Sequence, residues 1–111
     1  MQIHEQQQGA VTVLRPEGPL TAADAEDFKN RLLQAQRDSL GRVVLDASAI
    51  PLVDSAGLEA LVEVTEEMAQ SGQALKLCAA NETLRQVLEL TGLAHMFEYF
   101  EDANAAVRSF L

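Results

Sequence analysis

The chain has 111 residues, 48% of them hydrophobic and 23% charged, which is enough for one core and too short for two. Eight Lys and Arg stand against 17 Asp and Glu, a formal net charge of -9, and the basic residues form no run. Such a surface repels a phosphate backbone, which argues against nucleic-acid binding and leaves solubility or a basic protein partner as the reason for the acidity. Cys78 is alone, so there is neither a disulfide framework nor a paired-thiolate metal site. The polar start Gln2-Ile3-His4-Glu5-Gln6-Gln7-Gln8 has no signal-peptide pattern, and no run reaches the roughly 18 apolar residues of a spanning helix. A cytoplasmic protein without direct membrane insertion is expected.

Residues 2–8 alternate weakly, and Ala10-Val11-Thr12-Val13-Leu14 is a β-branched run, so residues 2–14 read as a hairpin turning near Gln8-Gly9. Pro16, Gly18 and Pro19 then break the pattern into a loop. Thr21-Ala22-Ala23-Asp24 has the form of a capping box, with Thr21 as N-cap. The helix it opens carries Ala25, Phe28, Leu32 and Ala35 on one stripe and ends before Gly41. Val43-Val44-Leu45 is a short apolar run of the kind that fills a central strand covered on both faces.

After the loop Asp46–Pro51 comes Leu52-Val53-Asp54-Ser55-Ala56-Gly57-Leu58, where an extended segment hands over to a helix. Leu58, Leu61, Val62, Thr65, Met68 and Ala69 recur at helical spacing, the glutamates fall off that stripe, and Gly72 closes the helix. Glu63, Glu66 and Glu67 read as a solvated helix face. Ala74–Cys78 is a further strand. Asn81 caps a helix with Leu84, Val87 and Leu88, which Gly92-Leu93 terminates. Met96–Phe100 is a last strand, and Asp102 caps a final helix through Ala106, Val107 and Phe110. Strands alternating with helices imply crossover connections. The expected fold is α/β, a single domain over 1–111 with a mixed, mostly parallel sheet, an antiparallel N-terminal edge hairpin and about four helices.

Enzyme chemistry finds little footing. A nucleophile elbow needs glycine two residues before the serine, where Val53 stands. Only His4 and His95 could serve as a base or a metal ligand, and with one cysteine they give no ligand spacing. Asp54-Ser55-Ala56-Gly57 lacks the glycine spacing and the lysine of a nucleotide loop. No catalytic residue, metal or cofactor is therefore assigned. Two readings of Asp54-Ser55 stay open on local grounds: a helix cap, or an exposed phosphoacceptor whose added charge would meet the positive helix end.

The chain resembles the STAS domain family, named for sulfate transporters and anti-sigma factor antagonists. The likeness rests on Gly18-Pro19-Leu20, on Val43-Val44-Leu45-Asp46 with Val53-Asp54-Ser55-Ala56-Gly57-Leu58, and on Leu90-Thr91-Gly92-Leu93. It implies an anti-sigma factor antagonist, a bacterial partner-switching regulator of transcription. Its partners would be an anti-sigma serine kinase, which binds the ATP, and a serine phosphatase. Ser55 would be the phosphorylated residue, and Thr21, Asp54, Ser55, Ala56, Gly57 and Glu59 would form the partner surface. Antagonists often carry an acidic residue in place of Thr21 and a glycine in place of Glu59. The alternative within the family is a constitutive STAS subunit of a transport complex (of the lipid ABC type) or of a signalling complex, needing no phosphorylation.

Overall fold

The computed structural model describes residues 1–111. Strand β1 (Gln2–Gln8) turns at Gly9 into β2 (Val11–Glu17), giving an antiparallel hairpin with Gln8 opposite Val11 and Gln2 opposite Glu17. Gly9 takes φ 64, the left-handed conformation that a two-residue hairpin loop needs. Helix α1 (Ala25–Asp38), β3 (Val43–Asp46), α2 (Ser55–Gln70), β4 (Leu75–Cys78), α3 (Glu82–Leu90), a 3-10 turn (Ala94–Met96), β5 (Phe97–Phe100) and α4 (Ala103–Arg108) follow. The five strands lie in the order β1-β2-β3-β4-β5, parallel from β2 onward. The α/β fold with its mixed sheet, edge hairpin and four helices matches the sequence reading.

Side-chain alternation along the strands splits the core into two layers. Leu14, Val43, Leu45, Leu75 and Leu77 face α1, α2 and α3, where Phe28, Leu32, Leu61, Met68 and Leu88 complete a continuous cluster. Val11, Val13, Val44 and Cys78 face the other way, under Ala106 of α4. β3, central in the sheet, is buried on both sides, as its unbroken apolar run requires. No helix is long and apolar enough to cross a membrane.

Four local expectations are corrected. β2 runs through Pro16 to Glu17 rather than breaking there. Pairing of β2 with β3 ends at Leu14, so the missing N–H of Pro16 removes no bond from that ladder. Helix α1 begins at Ala25 with Asp24 as a cap that makes no side-chain bond. Thr21 instead lends its carbonyl to the N–H groups of Asp24 and Ala25, in a turn ahead of the helix. On α2 the buried stripe is Gly57, Ala60, Leu61, Val64, Thr65 and Met68, while Leu58 and Val62 are half-buried and Ala69 is exposed. Small Gly57 and Ala60 face inward there, where periodicity scored by hydrophobicity overlooks them. Finally, Met96 belongs to the 3-10 turn, and β5 starts at Phe97.

Both ends of α3 and the start of α4 match the sequence reading. Asn81 accepts the Leu84 N–H at 2.8 Å, and Asp102 that of Ala105 at 2.8 Å. At Gly92 (φ 74), Leu93 N–H donates to Leu88 O at 2.8 Å, the six-to-one bond of a Schellman end. Phe28 is among the largest fully enclosed side chains, at the α1 contact with the sheet and α2. Phe28→Ala should therefore cost about 3–5 kcal/mol of unfolding free energy in a urea titration followed by circular dichroism.

Candidate functional site

The carboxyl ends of β2 to β5 share one edge of the sheet, and the segment after β3 crosses that edge before entering α2. It is fastened from two sides. Gly18 N–H donates to Ala49 O at 3.0 Å, and Leu20 forms a parallel bridge with Val53, its N–H reaching Leu52 O at 3.0 Å. The amide of Asn81, besides capping α3, donates to Ile50 O at 3.2 Å and Pro51 O at 3.3 Å. This loop is thus held by the backbone of the β2–α1 connection and by a side chain from the β4–α3 connection.

Asp54 is the N-cap of α2, extended at ψ -177, and its Oδ1 accepts the Gly57 N–H at 2.8 Å. Its Oδ2 accepts the Ala22 N–H at 3.0 Å. Hydrogen bonds from Gly57 and then from Ala22 favour the ionised carboxylate and hold its pKa below the ordinary value. Both oxygens are engaged by backbone N–H groups, and the lowered pKa makes Asp54 a weaker base than an ordinary aspartate. Ser55 opens the helix and is exposed, as are Leu52 at 49% and Glu59 one turn on. Thr21 and Ala56 are half-buried at the same place.

Gly57 is buried, and the close approach it allows is internal. A Cβ there would lie 2.5 Å from Leu20 O and 2.8 Å from Val53 Cγ1. The glycine lets the β2–α1 connection sit on the first turn of α2; it presents no surface of its own. From Ala56 a shallow groove runs between α1 and α2, edged by Glu26, Glu59 and Glu63. Lys29 in that groove is claimed by Glu63 at 2.9 Å and Glu26 at 3.2 Å.

Three other candidates for chemistry are accounted for. His4 bonds Glu17 at 2.7 Å on the edge hairpin. Cys78 is fully enclosed, and burial pushes its thiol up to about 12, so little reactive thiolate exists at neutral pH. No group of three His, Cys, Asp or Glu side chains converges as a metal site. The strand order never reverses, so the sheet has no switch-point crevice of the kind in which α/β folds hold small ligands.

The sequence brings Asp54, Ser55 and Gly57 together trivially, and the fold adds Thr21 and Ala22 from 32 residues away in the case of the Ala22–Asp54 bond. The family likeness implies that the loop Gly18-Pro19-Leu20-Thr21 lies near Ser55, and Leu20 is there; sequence reasoning missed Ala22 and Asn81 as parts of the site. Ala22 acts through a backbone group that carries no residue signature; Asn81 showed only its capping role.

Two measurements test this geometry. Glycine to alanine inside a helix ordinarily gains up to about 1 kcal/mol, but Gly57→Ala should lose about 1–3 kcal/mol, because the added carbon overlaps a fixed carbonyl. A gain in denaturant stability would contradict the close contact. The folded pKa of Asp54 lies below its unfolded one, so its stabilisation is present above the unfolded value and disappears as pH falls through the folded value. The stability gap between the native chain and Asp54→Asn should accordingly shrink as pH drops below about 4 in thermal melts.

A STAS domain family model matches residues 2–106. BtrV of Bordetella bronchiseptica, named a candidate anti-sigma factor antagonist, is 29% identical over 94 residues, covering 85% of this chain and 81% of BtrV. The crystal structure of a candidate anti-sigma factor antagonist from Thermotoga maritima superposes with a TM-score of 0.86 at 22% identity, covering 96% of this chain and 92% of that one. The Bacillus cell fate determinant SpoIIAA in its phosphorylated form gives 0.71 at 17% identity, covering 97% and 99%. With a family match spanning nearly its whole length and the same fold in these structures, the chain is a member of the STAS domain family, alongside relatives named as anti-sigma factor antagonists.

Proposed function

We propose that this protein is an anti-sigma factor antagonist that works by partner switching and carries no enzymatic activity of its own. Unphosphorylated, it binds an anti-sigma serine kinase in the cytoplasm, and the kinase releases its sigma factor. The kinase then transfers the γ-phosphoryl group of its bound ATP to Ser55 Oγ. ADP leaves, and the hydroxyl proton passes to a base of the kinase. A serine phosphatase hydrolyses the ester and restores the binding form.

The observation that carries this reading is the setting of Ser55. It is exposed on the first turn of α2, beside a carboxylate already spent on two backbone N–H groups. A phosphate there meets the positive helix end, worth about 0.3–1 kcal/mol, so the free protein tolerates the mark. A partner laid over the same spot faces a new charge of about -1.5 to -2 that it must desolvate. The mark thus acts on the complex and spares the fold. Exposed Leu52 offers an apolar contact next to it, with Thr21, Ala56 and Glu59 around it; the chain's net charge of -9 favours a basic partner face.

Incubation with the cognate kinase and ATP should add one phosphate, mapped to Ser55 by mass spectrometry. Ser55→Asp should bind the kinase at least tenfold more weakly in calorimetry, on the order of 1.4 kcal/mol, with an unchanged circular dichroism spectrum. No incorporation, together with equal affinities, would instead favour a constitutive binding subunit.

A further inference from the structure

The Asp54 carboxylate belongs to two structural units at once. One oxygen caps α2 through Gly57 N–H, and the other holds Ala22 N–H in the turn that leads into α1. Within that turn Asp24 and Ala25 N–H both donate to Thr21 O, and the Asp24 carboxylate accepts the Met1 ammonium at 3.1 Å, on the side away from α2 in sequence. The Ala22–Asp54 bond, at 3.0 Å, is therefore what ties the Thr21–Asp24 turn to the start of α2. Leu20 is separately fixed through Leu52 O and through the Asp54 N–H, which donates to Leu20 O at 3.1 Å, so the turn is anchored to the α2 segment at its base, and Ala22 is tied to α2 by the Asp54 side chain.

We propose that Asp54 is a positioning residue that couples the charge state of Ser55 to the Thr21–Asp24 turn. An anionic group on Ser55 competes with the carboxylate for the free N–H groups of the first turn of α2, and repels it across one residue. The carboxylate gives way at its weaker attachment. It keeps the helix cap, where the field of α2 favours it, and lets go of Ala22. Half-buried Thr21 and exposed Ala22 then relax beside the modified serine. One covalent change therefore alters the docking face in two places. By reciprocity, a partner that clamps the turn favours the uncharged serine.

The biological use of this coupling rests on the reading of Ser55 as phosphoacceptor, but its test does not. Ser55→Glu installs the charge without a kinase, and Ser55→Gln supplies the same shape without charge. The readout is the hydrogen-exchange rate of the Ala22 amide, followed by NMR. Ser55→Glu should speed it roughly two- to fivefold, the size expected of a charge effect at an exposed helix end, and Ser55→Gln should leave it unchanged. Asp54→Asn, which keeps one carbonyl oxygen for the cap, should already exchange fast at Ala22, and Ser55→Glu should add nothing to it. An Ala22 rate unmoved by Ser55→Glu, equally moved by Ser55→Gln, or equally moved with and without Asp54 would overturn the proposal. Failure of phosphotransfer to Ser55 with the coupling intact would overturn only the functional reading, and the converse result only this one.

Discussion

Everything at the functional end of this molecule depends on one contact: the backbone of Leu20 lying directly on Gly57. Any side chain at residue 57 would place an atom 2.5 Å from the Leu20 carbonyl oxygen. Because nothing is there, the connection after β2 and the connection after β3 come close enough to share a backbone bridge, and the Asp54 carboxylate can span them. A glycine that the family likeness assigns to the partner surface is, in three dimensions, the buried seat on which Leu20 rests.

The sheet gives that contact a rigid base. Three crossover helices cover one face, so every parallel strand from β2 to β5 ends on the same edge, and the loops gather there. The opposite face has only α4, six residues long, which is held by more than its own apolar side chains. Lys76 projects through that side with its ammonium 4.2 Å from the Phe110 ring centroid and 5.2 Å from that of Phe100, while bonding Ser109 Oγ at 2.6 Å. The Lys76 ammonium thus fastens the C-terminal segment on the face away from the three crossover helices.

A protein of this shape suits control by a surface mark. The strand order never reverses, His4 is paired with Glu17, Cys78 lies in the core, and Asp54 holds two backbone N–H groups. What remains at the loop edge is a rigid, exposed hydroxyl with an apolar neighbour and acidic flanks. On the proposed function, a partner docks on this surface and a phosphate on Ser55 changes the charge that it meets.

Local chemistry made much of this legible from the sequence alone. Strand and helix order follows from hydrophobic period, and the caps at Asn81 and Asp102 and the stop at Gly92 follow from residue type, because each depends on neighbours within a few residues. The Asp54-Ser55-Ala56-Gly57 segment was identifiable for the same reason. Where the reading failed, the deciding partner lay far along the chain. Pro16 stays in a strand because β3 has stopped pairing by then. Thr21 heads a turn rather than capping a helix, and α2 turns Gly57, Ala60 and Val64 inward because close packing against Leu20 and α1 favours small side chains over large ones. Residue types thus determined the elements, several of their ends and the Asp54-Ser55-Ala56-Gly57 segment at the start of α2. Only tertiary structure decided that Asp54 holds Ala22 and that Gly57 faces the core, since both depend on backbone atoms whose positions no single residue encodes.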